Sequence, residues 1–331
     1  MGNGTILVTG GAGYIGSHCV RRLLEEGCRV AVIDDLSTGN RWAVPEGVPF
    51  VEGDAGDGAR VAALLREQEV EAVVHFAARV FVPESVADPL RYYASNTCVS
   101  RNLIESCVRH GVERFVFSST AAVYGEPERL PIPETAATRP MNPYGSSKLV
   151  TEWMLRDVAA ASPLRYVALR YFNAAGARPD GTLGQATPNA THLVKVAAEA
   201  ACGLRERVPV FGNDYPTRDG TCVRDYIHVE DLVDAHLAAL RHLEAGGGPA
   251  TYNCGYGRGH TVREVLAAMR EVSGARLETV DAPRRAGDPA QLVADASRLR
   301  RELHWKPRFD DLRAICESAL RWERNRAKAR A

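Results

Sequence analysis

Thr5-Ile-Leu-Val-Thr-Gly-Gly-Ala-Gly-Tyr-Ile-Gly16 is the stretch on which the reading of this chain turns. A short apolar run breaks into glycines at 10, 13 and 16, and a helical pattern follows from Ser17 to Glu26. Strand, tight turn and helix in that order let a backbone approach a pyrophosphate, which then sits at the helix N-terminus. Glycine-rich turns are common, so context carries the reading. A second apolar run, Arg29-Val-Ala-Val-Ile33, ends in Asp34-Asp35. A carboxylate about 20 residues beyond the glycines is placed to hydrogen-bond a ribose diol. It repels a 2′-phosphate, which favours NAD over NADP. The bland alternative is a strand-terminal Asp capping the next turn.

The alternation continues outward from that stretch. Val48-Pro-Phe-Val51 leads to Gly53-Asp54, a helix is expected over Ala59 to Gln68, and Glu71 to Phe76 is a strand ending in Ala77-Ala78. Those small residues allow a cofactor to lie across the strand end. His75 reads as a packed residue rather than a catalyst. One long helix is expected over Pro89 to His110, carrying Asn96 and ending at Gly111. Arg114-Phe-Val-Phe-Ser118 is a strand with a polar end, Ser118-Ser119-Thr120, where open parallel sheets bind ligands. Residues 126–140 hold four prolines and read as a loop. A strand over Leu164 to Arg170 completes an α/β, doubly wound parallel sheet of the Rossmann type. Beyond Tyr171-Phe172-Asn173 the pattern becomes mixed, so a smaller mixed α/β substrate domain is expected. The division is residues 1–173, with segments around 221–254 returning to the sheet, and residues 174–331.

Asn142-Pro-Tyr-Gly-Ser-Ser-Lys148 carries the chemistry. Asn142 suits an N-cap and Pro143 a first helical position. Tyr144 and Lys148 then lie one turn apart on one face. The helix's positive end and the lysine charge both favour phenolate. A free Tyr titrates near ~10, so work near neutrality needs its pKa brought down by about 3, roughly 4 kcal/mol. Two causes fall short of that, and a third positive charge is needed.

Composition narrows the partners. Apolar content is 45%, charged content 25%, and 41 basic residues balance 41 acidic ones. These values describe an ordinary globular chain with no electrostatic case for nucleic acid or membrane. No apolar run approaches 20 residues and no signal-like start precedes the first strand, so cytoplasmic is the expectation. Cysteines at 19, 28, 98, 107, 202, 222, 254 and 316 form no Cys-x-x-Cys pair and read as free thiols, with no metal site expected.

Thr9-Gly-Gly-Ala-Gly-Tyr-Ile-Gly16, the hydroxyls ending a strand and Tyr144-x-x-x-Lys148 together resemble the extended short-chain dehydrogenase/reductase family. Phe117-Ser-Ser-Thr-Ala-Ala-Val-Tyr-Gly125, Asn142 to Lys148, Leu169-Arg-Tyr-Phe-Asn173, Gly212-Asn-Asp-Tyr-Pro-Thr217 and Arg224-Asp-Tyr-Ile-His-Val229 resemble its UDP-glucose 4-epimerase branch of NAD-dependent epimerases/dehydratases. The resemblance implies an isomerase that interconverts UDP-glucose and UDP-galactose, part of galactose and carbohydrate metabolism. It implies NAD held by Gly10, Gly13, Tyr14, Ile15, Gly16, Asp34, Asp35, Asp54, Ala55, Phe76, Ala77, Ala78, Asn96, Ser118, Tyr144, Lys148 and Tyr171. Tyr144 is then the base, with Lys148 and Thr120 beside it, and the nicotinamide supplies the third charge. The UDP-sugar contacts implied are Thr120, Tyr144, Asn173, His192, Leu193, Val210, Phe211, Arg224, Arg285 and Asp288. A surface ion pair is the bland reading for Arg285 and Asp288.

Two positions depart from the branch: Thr120 stands where many members have Ser, and Arg79 stands near a usual Lys. A 4,6-dehydratase needs an acid and a base after the Thr, and Ala121-Ala122 fill those places. Other UDP-sugars (N-acetylhexosamine, pentose or uronate) stay open, with Leu292 at a position that limits room for the 2-substituent. A non-catalytic NAD-binding regulator would lack Tyr or Lys. Helices 89–110 and 144–160 are implied to form a four-helix homodimer interface, although their apolar faces equally suit packing on the sheet.

Overall fold

The computed structural model describes residues 4–330. Its strands are β1 (Thr5–Thr9), β2 (Arg29–Asp34), β3 (Phe50–Glu52), β4 (Val70–His75), β5 (Arg114–Thr120), β6 (Arg165–Tyr171), β7 (Asn173–Ala175), β8 (Val208–Phe211), β9 (Val223–His228), β10 (Ala250–Cys254), β11 (Gly259–Thr261), β12 (Thr279–Ala282) and β13 (Gln291–Leu292). Seven of them make one parallel sheet in the order β10-β6-β5-β4-β1-β2-β3. The order reverses between β1 and β4, so the crevice for a ligand opens above their carboxyl ends. The glycine loop leaves β1 there, and Phe76-Ala77-Ala78 leaves β4.

The helices are α1 (Tyr14–Glu25), α2 (Gly58–Glu67), α3 (Val82–Ala87), α4 (Pro89–Tyr92), α5 (Val99–Arg109), α6 (Pro143–Ala161), α7 (Leu193–Ala201), α8 (Val229–Glu244), α9 (Val262–Ser273), α10 (Ser297–Glu302) and α11 (Leu312–Arg330). The period-2 alternation of the strands sends Ile6, Val8, Val32, Val74 and Val116 to one face, against α1 and α8. Leu7, Ala31, Ile33, Val73, Phe115 and Phe117 go to the other, against α2, α5 and α6. Both faces are therefore apolar and covered, as a parallel sheet requires. A smaller layer forms where β9 pairs with β7, β11 and β13, while β8 pairs with β12.

The single helix expected over Pro89 to His110 is broken into parts. Pro83 and Pro89 each open a short helix, α3 and α4. A wide turn of i→i+5 type, Tyr93–Cys98, then joins α4 to α5. Such a turn inserts an extra residue and re-aims side chains without breaking the helical direction. Here it buries Asn96, which is 1% exposed. β5 runs to Thr120 rather than Ser118, because Ser119 and Thr120 stay in register with Arg170 and Tyr171.

Candidate active site

Helix α6 begins as its sequence dictates. Asn142 is extended (φ −148°, ψ 156°) and its side-chain oxygen accepts from Gly145 N–H at 2.8 Å. Pro143 follows at the first helical position. Gly145 is needed because a Cβ there would lie 2.5 Å from the Ala122 carbonyl oxygen. That close approach sets the first turn of α6 against the short turn following Thr120. Thr120 Oγ accepts from Ala122 N–H at 3.1 Å, so its own proton is free to point at the Tyr144 phenol, with which it interacts. Tyr144 is buried at 7% exposure and Lys148 at 2%.

Burial governs both groups. It pushes the Tyr144 hydroxyl well above the ordinary tyrosine range, with the neighbouring Tyr171 adding to the rise and Thr120 opposing it. It pulls Lys148 down to about 7. The sequence expectation that the helix end and the lysine lower the phenol therefore fails for the protein alone, because desolvation outweighs them. Among the described residues the Lys148 ammonium has one hydrogen-bond acceptor, the Ser118 carbonyl at 2.9 Å, and it lies 4.9 Å from the Phe117 ring centroid. An ammonium has three donors. Its spare donors match a diol, and a cationic ring bound there would supply the charge that the phenol lacks. On that observation the site fits a nicotinamide dinucleotide.

The glycine loop supplies the other end of the crevice. Gly10 has φ +68°, and a Cβ there would meet Ala77 N at 2.7 Å, so the ends of β1 and β4 approach as only glycine permits. The Asp34 carboxylate accepts from Ala12 N–H at 2.9 Å and Leu36 N–H at 2.8 Å, and burial raises its pKa. It is fixed against the loop with lone pairs to spare. Asp35 instead accepts from the Ser37 N–H and hydroxyl, turned into its own exposed turn. Asp54 accepts from Gly56 N–H at 2.7 Å beside buried Ala55.

Asn96 is occupied by protein. Its oxygen accepts from Arg79 N–H at 2.8 Å, and its amide donates to Arg79 O and Ser147 Oγ, each at 3.0 Å. It clamps the segment after β4 onto α6, one residue from Lys148. The Arg79 guanidinium points to Glu84, 3.9 Å away. His75 hydrogen-bonds Thr9 Oγ at 2.7 Å and Ser100 Oγ at 2.9 Å, and burial holds it at about 3. Neutral at any working pH, it is the packed residue its sequence context indicated. Phe76 packs on His236 at 4.7 Å, and the Ser118 hydroxyl donates to Tyr171 Oη at 3.1 Å. Tyr14 Oη donates to Gly176 O at 2.6 Å, tying α1 to the segment after β7, and Ile15 packs against the core of that face.

The sugar-nucleotide candidates fall in two groups. Asn173, His192 and Leu193 share the wall of one small hollow with Tyr226 and Trp322. Arg224, Arg285 and Asp288 form the second group: Arg224 lies 3.9 Å from Asp288, and the Arg285 guanidinium stacks 3.9 Å over Phe211, beside Val210 on β8. Two guanidiniums against one carboxylate leave a net positive charge suited to a diphosphate. Desolvation lowers the Arg285 pKa, the effect of half-burying a cation.

The sequence did not reveal the support beneath Thr120. Glu152 accepts from the Ser119 hydroxyl at 2.5 Å and pairs bidentately with Arg170, which also donates to Tyr124 Oη at 3.0 Å. Glu152 stands one turn beyond Lys148 on α6, so a Tyr-x-x-x-Lys-x-x-x-Glu spacing was the available signal.

Residues 6–255 match the profile of the NAD dependent epimerase/dehydratase family. The UDP-glucose 4-epimerase of Azospirillum brasilense is 57% identical over 97% of this chain and 92% of that protein. A crystal structure of UDP-glucose 4-epimerase from Bifidobacterium longum in complex with NAD+ and UDP has a TM-score of 0.93 at 38% identity, covering 98% of this chain and 99% of that one. The UDP-Glc/GlcNAc 4-epimerase of Campylobacter jejuni is 48% identical with a TM-score of 0.84, covering 97% and 99%. With its reversed strand order, its glycine cradle and its Tyr144–Lys148 helix alongside these matches, the chain belongs to the NAD dependent epimerase/dehydratase family.

Proposed function

We propose that the chain is a UDP-glucose 4-epimerase that interconverts UDP-glucose and UDP-galactose with NAD. The observation that carries the reading is the buried Thr120, Tyr144 and Lys148 grouping at the end of β5, followed by Ala121-Ala122, which can neither donate nor accept a side-chain proton. Acid–base power is thereby concentrated on one phenol, enough for oxidation at one carbon and too little for elimination.

Gly10, Gly13, Gly16, Asp34 and Lys148 would hold NAD, with Asn96 acting through the backbone it clamps. NAD supplies a hydride acceptor and donor at the sugar carbon 4. Tyr144 takes the proton of the 4-hydroxyl and later returns it. Thr120, its lone pair engaged by Ala122 N–H, donates to the sugar oxygen or the phenol oxygen. Lys148 adds positive charge below the phenol. Arg224, Arg285 and Asp288 grip the nucleotide while the 4-keto sugar turns over and receives the hydride on its other face.

In the same reading residues 1–173, with the return around 221–254, form the dinucleotide half, and 174–331 the nucleotide-sugar half. A homodimer is proposed through α3 to α6, where Leu90 (78% exposed), Trp153 (47%) and Val86 (45%) leave an apolar face uncovered. Among the described residues no helix is long and apolar enough to cross a membrane. Five of the eight cysteines are buried, which suits the proposed reducing cytoplasm. A second reading, turnover of UDP-N-acetylhexosamines as well, is favoured by the likeness to the Campylobacter jejuni enzyme. The test is a panel of UDP-sugars: UDP-glucose and UDP-galactose should interconvert without net NADH. Failure to epimerise either overturns the proposal, and turnover of the N-acetyl pair establishes the second reading.

A further inference from the structure

Asn142 does more than a cap requires. Ser, Thr and Asp cap a helix about as well as Asn, each with one acceptor oxygen. Asn alone adds an amide donor, and here that donor is used: Asn142 Nδ2 donates to Gly287 O at 3.2 Å, across 145 residues of sequence. Asn142 is 7% exposed and Gly287 partly so, which leaves the bond part-buried. Among the described residues it is the one hydrogen bond between α6 and the 283–288 loop. Gly287 has φ +80°, and a Cβ there would lie 3.3 Å from Asn142 Cβ. The loop thus meets the cap in a backbone conformation that side chains resist.

What flanks Gly287 makes the contact consequential. Asp288 N–H donates to Arg285 O at 3.4 Å, closing a tight turn around Gly287. Arg285, over Phe211, and Asp288, near Arg224, are the proposed nucleotide contacts. The Asn142 side-chain oxygen accepts from Gly145 N–H, in the helical turn that carries Tyr144. We propose that Asn142 is a positioning residue, a latch that couples seating of the diphosphate by the Arg285 loop to the helix turn bearing Tyr144. This rests on the epimerase reading.

The test is a double-mutant cycle on holoenzyme, reading the UDP dissociation constant by calorimetry and KM and kcat for UDP-glucose. Asn142→Ser keeps the cap and loses the reach to Gly287. One part-buried hydrogen bond predicts that UDP binding and KM worsen about fivefold, with kcat within about twofold. In an Arg285→Ala background the same change should cost less than about twofold, because the latch acts through that loop. Gly287→Ala, which strains the contact from the other side, should repeat the pattern and serves if Asn142→Ser folds poorly. Lack of UDP binding by the unaltered protein overturns the epimerase reading itself. UDP binding by the unaltered protein with no loss in the variants, or with equal loss in both backgrounds, overturns the latch alone.

Discussion

Replacing Lys148 by methionine should make the cofactor-free protein more stable while abolishing its activity. The ammonium is buried and donates to the Ser118 carbonyl, among the described residues it pairs with no carboxylate, and burial lowers its pKa from 10.5 to about 7. Between those values the unfolded chain binds the proton that the folded chain has lost, so stability rises with pH across that window. Below about 7 the full penalty is present, and above about 10.5 it is gone. A difference of that size corresponds to about 5 kcal/mol at most, at roughly 1.4 kcal/mol per pH unit. Methionine has similar length and no charge to desolvate. At pH 6 Lys148→Met should therefore gain about 2–5 kcal/mol in urea unfolding, or several degrees in Tm, and the gain should shrink toward pH 10. Epimerisation should drop by about 10²-fold or more, since the ammonium proposed to hold NAD one helical turn from Tyr144 is lost. A variant less stable than the parent at pH 6, or a gap that does not narrow with pH, refutes the reasoning.

Gly145→Ala pushes a methyl to within 2.5 Å of the Ala122 carbonyl and must part α6 from the Thr120 turn, so kcat should fall about tenfold or more with folding retained by circular dichroism. Arg170→Met strands the buried Glu152 carboxylate, which should cost about 3–5 kcal/mol in denaturant unfolding; pairing it with Glu152→Gln should recover part of that loss. Asp34→Asn retains one acceptor for the two backbone N–H groups now shared by two oxygens, and NAD affinity measured by fluorescence titration should weaken about tenfold.

The doubly wound parallel sheet could be read from sequence because it depends on local signals: apolar runs alternating with helical stretches, and glycines at 10, 13 and 16. The strand order and its reversal between β1 and β4 came from the structure. The wide turn at Tyr93–Cys98 was hidden, since a helical apolar pattern tolerates one extra residue without changing its look. β7 was hidden for a different reason. Three residues, Asn173-Ala-Ala175, have no strand propensity to speak of, and only pairing with β9 makes them a strand. Residue types in the site were legible, yet their energetics were not. The Tyr144–Lys148 spacing suggests mutual activation, whereas burial, a property of the whole fold, drives both toward neutrality. Asn96 was legible as important, while its actual partners, Arg79 and Ser147, become neighbours only through the turn that sequence could not reveal. The Asn142–Gly287 contact joins segments that sequence separates entirely.

Tyr144→Phe in single-turnover epimerisation of UDP-glucose tests the central claim most directly. The substitution removes one oxygen from a buried ring and leaves the Arg285 group and the glycine cradle untouched. The expected result is a loss of about 10³-fold in rate with UDP affinity and bound NAD unchanged. A variant that keeps more than about a tenth of the parent rate contradicts it.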